Sequence, residues 1–110
     1  MSKPLTKRQV ATKLKSLHAD WELSKTGTSI VRKYPFKSYI AGFMFVTKVS
    51  IHAQVALHFP EVTLSYKFVK ITLTTKDAKA LTEQDFALAS HFDTMYLLST
   101  TNVNSAHNHY

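Results

Sequence analysis

The chain has 110 residues, a formal net charge of +7 and no cysteine. Its length fits a single domain, since domains cluster around ~100–150 residues. Its 45% of hydrophobic residues is enough for one two-layer core. The lack of thiols excludes a disulfide framework and a thiolate metal site, which is typical of an intracellular protein. We therefore expect one domain over residues 1–110, located in the cytoplasm or else the nucleus.

The sequence gives no sign of export or of membrane insertion. The first ten residues, MSKPLTKRQV, lack the apolar region of a secretory signal. Lys48, His52 and Gln54 interrupt the longest apolar-rich stretch, so it does not predict a membrane span.

The basic charge alone does not indicate sequence-specific nucleic-acid binding. Arg8 and Arg32 are the only arginines among fourteen basic residues, although arginine is the residue that reads bases and phosphates in bidentate fashion. The lysines are spread along the chain without a long run. A solvated basic surface, or weak attraction to anionic ligands, is the interpretation that this pattern favours.

The first half of the chain predicts a helix, two strands and a long helix. Thr6 and Gln9 form a capping-box pattern at the start of the first helix. WELS and SIVRKYPF read as strands on either side of the turn-forming KTGTS. From about Ser38 to Leu57 the pattern is helical, with two neighbouring apolar stripes, one through Phe43 and one through Phe45. A helix this apolar needs two partners, so we expect either a subunit interface or a wide core face.

The second half predicts two more strands and a last helix. Phe59-Pro60 ends the long helix, because the residue before proline is disfavoured in helical geometry. EVTLSY and FVKITLTT then read as strands. The last helix begins near Thr82, with Asp85 in its first turn, where a carboxylate suits the helix dipole. We expect a flexible tail over about residues 100–110, in which His107 and His109 are poor candidates for a metal site.

This order of elements predicts an α+β two-layer fold. A four-stranded antiparallel sheet would be covered on one face by helices, in the order helix-β-β-helix-β-β-helix.

Six segments in this order resemble the pterin-4a-carbinolamine dehydratase family, also called the dimerisation cofactor family. They are Trp21, IVRKYPFKSY, GFMFVTKVSIHAQ, HFPEV with a following tyrosine, VKITLTT and ALTEQDFALAS. The resemblance runs from about Leu5 to Tyr96. It implies elimination of water from a 4a-hydroxy-tetrahydropterin to give the quinonoid dihydropterin. Such a reaction needs an acid for the departing hydroxyl and a base for the N5 proton, and no cofactor or metal.

The resemblance also implies a site, from which this chain departs at two positions. The family pattern is His-His-Pro after the long helix and Thr-His after the fourth strand. Here His58 and Pro60 match, whereas Phe59 replaces the second histidine and Lys76 the third. We expect His58 and Lys76 to be catalytic. The substrate-binding set that the resemblance implies is His58, Phe59, Pro60, Thr75, Lys76, Asp77 and Ala78.

Two functions follow from this resemblance. The first is a pterin dehydratase in tetrahydrobiopterin recycling, with a pterin substrate and a homodimeric or homotetrameric assembly. The alternative is a catalytically weakened binding protein that acts as a dimerisation or transcriptional cofactor, or as an assembly partner, through its long-helix face. Asp85 is interpreted chiefly as a helix-start residue, although the family keeps an acid there.

Overall fold

The computed structural model describes the backbone of residues 3–108 and the side chains of residues 3–99. Its elements in chain order are α1 (Lys7–Ser16), β1 (Glu22–Leu23), β2 (Ile30–Pro35), α2 (Tyr39–Ala56), β3 (Glu61–Leu64), β4 (Phe68–Leu73) and α3 (Glu83–Asn108). The four strands form one antiparallel sheet in the order β1-β2-β4-β3. The predicted α+β fold and its order of elements are therefore confirmed.

Local sequence signals set the ends of the helices. At α1 the Thr6 hydroxyl accepts from the Gln9 N–H at 3.1 Å, and the Gln9 side chain accepts from the Thr6 N–H at 2.9 Å. This is the predicted capping box, which satisfies two donors at the helix start. Ser38 caps α2 in the same way through the Ala41 N–H.

The core lies between one face of the sheet and the helices. Alternate residues of the two central strands are buried against the helices: Ile30, Arg32, Tyr34, Val69, Ile71 and Leu73. Gly42 lets α2 approach the sheet closely, because a Cβ there would lie 3.1 Å from Leu64 and 3.3 Å from Val69.

The two apolar faces of α2 differ from the predicted neighbouring stripes. Gly42, Phe45, Val49 and Ala53 form the core face, and Phe45 is fully buried. The opposite side of the helix is apolar and exposed, with the large side chains Ile40, Met44, Ile51 and Val55. A helix that is apolar all round carries little periodicity to show which side packs, so the sequence did not determine which face of α2 contacts the sheet.

The predicted flexible tail from about residue 100 stays a prediction. Helical backbone continues as far as Asn108, whereas the side chains of residues 100–110, including His107 and His109, lie outside the described part of the chain. Over the described residues, none of the helices combines the length and the apolar character needed to cross a membrane.

Candidate active site

A cavity of about 360 Å³ lies where the end of α2 meets the loop after β4. The fold thus brings together the two segments that sequence analysis singled out. Six of the seven predicted substrate-binding residues line this cavity: His58, Phe59, Thr75, Lys76, Asp77 and Ala78. The seventh, Pro60, is half-buried and lies outside the cavity wall. Pro4, Leu57, Thr74 and Gln84 complete the lining.

The end of α2 turns His58 inward. Leu57 adopts the left-handed conformation, with φ 54° and ψ 39°, which ends the helix. The His58 N–H still reaches back to the Ala53 carbonyl at 3.1 Å. His58 is consequently only 8% exposed, whereas the next residue, Phe59, is 54% exposed at the cavity rim.

The loop after β4 closes on itself and presents the opposite wall. Thr75 and Ala80 pair through two backbone hydrogen bonds, of 3.1 and 3.4 Å. This pairing directs the Thr75 side chain inward, where it is buried. Lys76 and Asp77, at the tip of the loop, remain exposed.

Asp85, at the start of α3, connects the two walls. Its side chain is fully buried, and its Oδ1 lies 2.6 Å from His58 Nε2. Its Oδ2 accepts from the Thr75 hydroxyl at 2.7 Å and from the Thr82 N–H at 2.9 Å. The Thr75 and Thr82 hydroxyls are 2.7 Å apart. Since the Thr75 proton is given to Asp85, the Thr82 hydroxyl donates to Thr75.

This network fixes the role of each nitrogen of the His58 ring. An ionised carboxylate is acceptor-only, so Nε2 carries the hydrogen and donates it to Asp85. Nδ1 is then the nitrogen that can take up a proton from a molecule in the cavity. The carboxylate would also stabilise the imidazolium formed by that transfer, as in other histidine–carboxylate pairs.

Sequence analysis gave Asp85 too small a role. Its place in the first turn of α3 is confirmed, and the bond from the Thr82 N–H is the helix-start contact that an acid three residues on would make. Its second role, holding His58, depends on the β4–α3 loop folding over the end of α2. The sequence signal for this second role was that the family keeps an acid at this position.

A second, partly buried network, centred on Asp93 of α3, lies away from the cavity. The Asp93 carboxylate accepts from Trp21 Nε1 at 3.0 Å, from Arg32 at 2.7 Å and from the Tyr34 hydroxyl at 2.6 Å. Burial, and then the bond to Asp93, raises the pKa of Tyr34 far above its usual range. Arg32 stacks on the Tyr34 ring at 4.4 Å. None of these four residues lines the cavity of His58.

The remaining histidines of the described region also lie outside the cavity. His52 of α2 and His91 of α3 face each other with ring centroids 4.1 Å apart. Partial burial, and then the charge of His91, lowers the pKa of His52. His18 is exposed beside Asp20. Among residues 3–99, no three histidine, aspartate or glutamate side chains are grouped closely enough to hold a metal ion.

Comparisons with known proteins identify the family of this chain. Residues 3–95 match the family model for pterin 4 alpha carbinolamine dehydratase. A Picosynechococcus protein is 39% identical over 93 residues, covering 84% of this chain and 98% of its own length. A Rhodospirillum rubrum protein is 37% identical over 90 residues, covering 82% of this chain and 88% of its own. Both relatives are provisionally named pterin-4-alpha-carbinolamine dehydratases.

Solved structures give the same result for the fold. A protein from Brucella melitensis described as a transcriptional coactivator/pterin dehydratase superposes with a TM-score of 0.81 at 26% identity. It covers 86% of this chain and 99% of its own. A pterin dehydratase-like protein identified as a RuBisCO assembly factor matches with a TM-score of 0.61 at 19% identity, over 72% and 95% of the two chains. That second likeness concerns the fold alone.

The fold and the family match define one class of protein. This chain belongs to the pterin-4a-carbinolamine dehydratase family.

Proposed function

We propose that this chain is a pterin dehydratase that eliminates water from a 4a-hydroxy-tetrahydropterin, giving the quinonoid dihydropterin in tetrahydrobiopterin recycling. The observation that carries the proposal is the buried His58–Asp85 pair at 2.6 Å, on the wall of a cavity. A buried histidine held by a carboxylate is a suitable proton carrier near neutral pH. We place this activity in the cytoplasm, or else the nucleus.

His58 is proposed as the base. Its Nδ1 takes the proton from N5 of the substrate while the bond between C4a and the hydroxyl oxygen breaks. The electron pair left on N5 forms the new double bond between C4a and N5. Asp85 stabilises the imidazolium that results, and solvent then removes the proton from His58.

Lys76 is proposed as the acid. Its ammonium gives a proton to the departing hydroxyl, which leaves as water, and solvent then restores the lysine. The exposed position of Lys76 at the cavity rim suits this exchange with solvent.

Phe59 cannot carry a proton, so we assign it to stacking against the pterin ring. Thr75, Asp77 and Ala78 would form the rest of the substrate wall. Pro60 would act indirectly, by setting the chain direction after Phe59.

The proposal is tested by following the dehydration of freshly generated 4a-hydroxy-tetrahydropterin. The purified protein should accelerate the reaction above its spontaneous rate. His58→Ala should lose most of that acceleration, since general acid–base catalysis contributes ~10²–10⁴-fold. His18→Ala is the matched control, because His18 is exposed and outside the cavity. No acceleration by the unmodified protein would overturn the enzyme assignment.

An assembly role is the second candidate, and one observation favours it. The outer face of α2 exposes Ile40, Met44, Ile51 and Val55, with Ile51 61% and Val55 80% exposed. Several large apolar side chains exposed along one side of a helix favour a protein interface. We propose that this face joins copies of the chain into a homodimer or homotetramer, and that it could instead receive a protein partner in a cofactor role.

Light scattering tests the interface. Ile51→Glu should lower the mass of the assembly, because a charge would be buried in the apolar contact. Ser90→Glu adds the same charge to an exposed position of α3 and should leave the mass unchanged. Phe45, on the other apolar stripe of α2, is unsuitable for this test because it is fully buried in the core. An Ile51→Glu variant of unchanged mass would contradict the interface.

A further inference from the structure

The face of the sheet that points away from the helices is open. The described helices and loops cover the other face, on which the core residues of β2 and β4 are buried. Residues paired directly across an antiparallel sheet project to the same side. Val31 and Thr72 share a row of the open face with Glu22 and Glu61. Lys33, Lys70 and Thr63 form the next row.

Two lysines therefore stand opposite each other in the middle of this open face. Lys33 of β2 and Lys70 of β4 are paired on the two central strands. Like charges in directly opposed positions destabilise a sheet. Within residues 3–99, neither lysine has a carboxylate within 4.0 Å to offset the repulsion. The pair thus costs stability, and a ligand that supplied negative charge would relieve that cost.

One aromatic ring lies beside this pair on the open face, and another lies in the adjacent β3–β4 turn, where the Lys67 ammonium donates to the Lys37 carbonyl at 3.1 Å. The next row of the face places Phe68 opposite Pro35, and the Lys33 ammonium lies 4.9 Å from the Phe68 ring centre. In the turn itself, the Lys67 ammonium lies 5.1 Å from the ring centre of Tyr66, which is 69% exposed.

The acids of the open face lie on the other side of the lysine row. Glu22 and Glu61 occupy the two edge strands, in the row of Val31 and Thr72. The half of the face from Lys33 and Lys70 to the β3–β4 turn contains no acidic residue. This half combines two lysines that have no described carboxylate within 4.0 Å with a partly exposed ring, Phe68, and the exposed ring of Tyr66 in the adjacent turn.

We propose that this half of the open face binds single-stranded nucleic acid without sequence preference. Lys33 and Lys70 would contact phosphates, whereas Phe68, and Tyr66 in the adjacent turn, would offer rings to the bases. A positively charged surface with aromatic side chains is the usual arrangement for single-strand binding. Lysines attract phosphates as point charges and lack the planar fork of arginine, so the surface reads no bases. The proposed site is separate from the His58 cavity and does not depend on its activity.

Fluorescence anisotropy with a labelled oligothymidylate of about 20 nucleotides tests the proposal. The unmodified protein should bind at low salt, and its affinity should fall as salt rises, by a log–log slope of ~0.7 per phosphate contact. Lys33→Gln combined with Lys70→Gln should weaken binding at least about tenfold and lower that slope by about 1.4. Phe68→Leu should weaken binding to the oligonucleotide without changing the slope.

A matched charge control distinguishes binding at this site from general electrostatic attraction between the basic protein and the oligonucleotide. Lys15→Gln combined with Lys48→Gln removes the same charge from α1 and α2 and should leave affinity within about twofold. Equal losses in the two double variants would overturn the site. Binding of inorganic polyphosphate as tightly as the oligonucleotide, at equal charge, would overturn the nucleic-acid assignment. In the absence of ligand, Lys70→Gln should raise the melting temperature, because it removes the repulsion from Lys33.

Discussion

Two carboxylates on α3, Asp85 and Asp93, stand at the centre of two networks with different consequences. Asp85 holds His58, whose other ring nitrogen can exchange a proton with a molecule in the cavity. The Asp93 carboxylate accepts hydrogen bonds from Trp21, Arg32 and Tyr34, and none of these three donors lines that cavity. Burial and dense hydrogen bonding are common to both, so neither property identifies a functional site. The difference is whether the network includes a histidine that lines a cavity, as His58 does.

The largest expected effect on stability comes from breaking the Asp93 network. Asp93→Asn removes the charge beside Arg32, which is 5% exposed and already has its Nε without a hydrogen-bond partner among the described residues. An unpaired buried charge costs roughly 3–5 kcal/mol. We expect the lower end, because Asp20 remains 3.7 Å from Arg32. Chemical denaturation would measure the loss in the free energy of unfolding, with Asp77→Asn at the exposed loop tip as control. A change below about 0.5 kcal/mol would show that the network contributes little.

The cavity rim belongs to neither network, so it can be changed without disturbing either. Phe59→His together with Lys76→His restores the family pattern and should raise the dehydration rate about tenfold, because imidazoles exchange protons near neutral pH more readily than lysine does. Lys76→Ala alone should lower the rate, since the departing hydroxyl loses its acid. A folded, pterin-binding double variant that stays inactive would favour the assembly role over the enzyme.

The two networks also show what sequence alone can supply. The capping box of Thr6 and the strand SIVRKYPF follow from local sequence patterns, and both were predicted. Only the family resemblance predicted that His58 and Lys76 belong to one site. The contact between Asp85 and His58 spans 27 positions, and its burial depends on how the β4–α3 loop packs. No local pattern carries that information.

The exposed face of α2 illustrates the same limit. Apolar residues surround the helix, so the pattern indicated a second partner without showing which side faces the sheet. Phe45 belongs to the core, and Ile51 lies on the outer face. The side of α2 that faces the sheet is the one on which Gly42 fits closely against Leu64 and Val69, and that fit is a tertiary contact.

The smallest expected effect lies at the histidine pair between α2 and α3. Folding lowers the pKa of His52 below its ordinary value of 6.5, so the unfolded chain binds more protons around that pH. Stability should therefore fall as pH decreases through about 6.5. The groups that face each other are His52 and His91, with Lys48 one turn away on α2. His91→Gln should reduce the loss of melting temperature between about pH 7.5 and about pH 5.5. An unchanged loss in His91→Gln, with His18→Gln as control, would contradict this coupling.

We assign a catalytic positioning role to Asp85 and a structural role to Asp93. The most direct test of this difference is the dehydration rate per folded molecule in Asp85→Asn and Asp93→Asn. An asparagine at 85 would turn its amide toward His58 and favour the tautomer with the proton on Nδ1, which cannot act as the base. In the serine-protease triad the same replacement lowers the rate by about 10⁴. We expect Asp85→Asn to lose at least about 10² in rate, and Asp93→Asn to keep nearly the full rate per folded molecule despite its lower stability. Equal rates in the two folded variants would contradict the role that we assign to the His58–Asp85 pair.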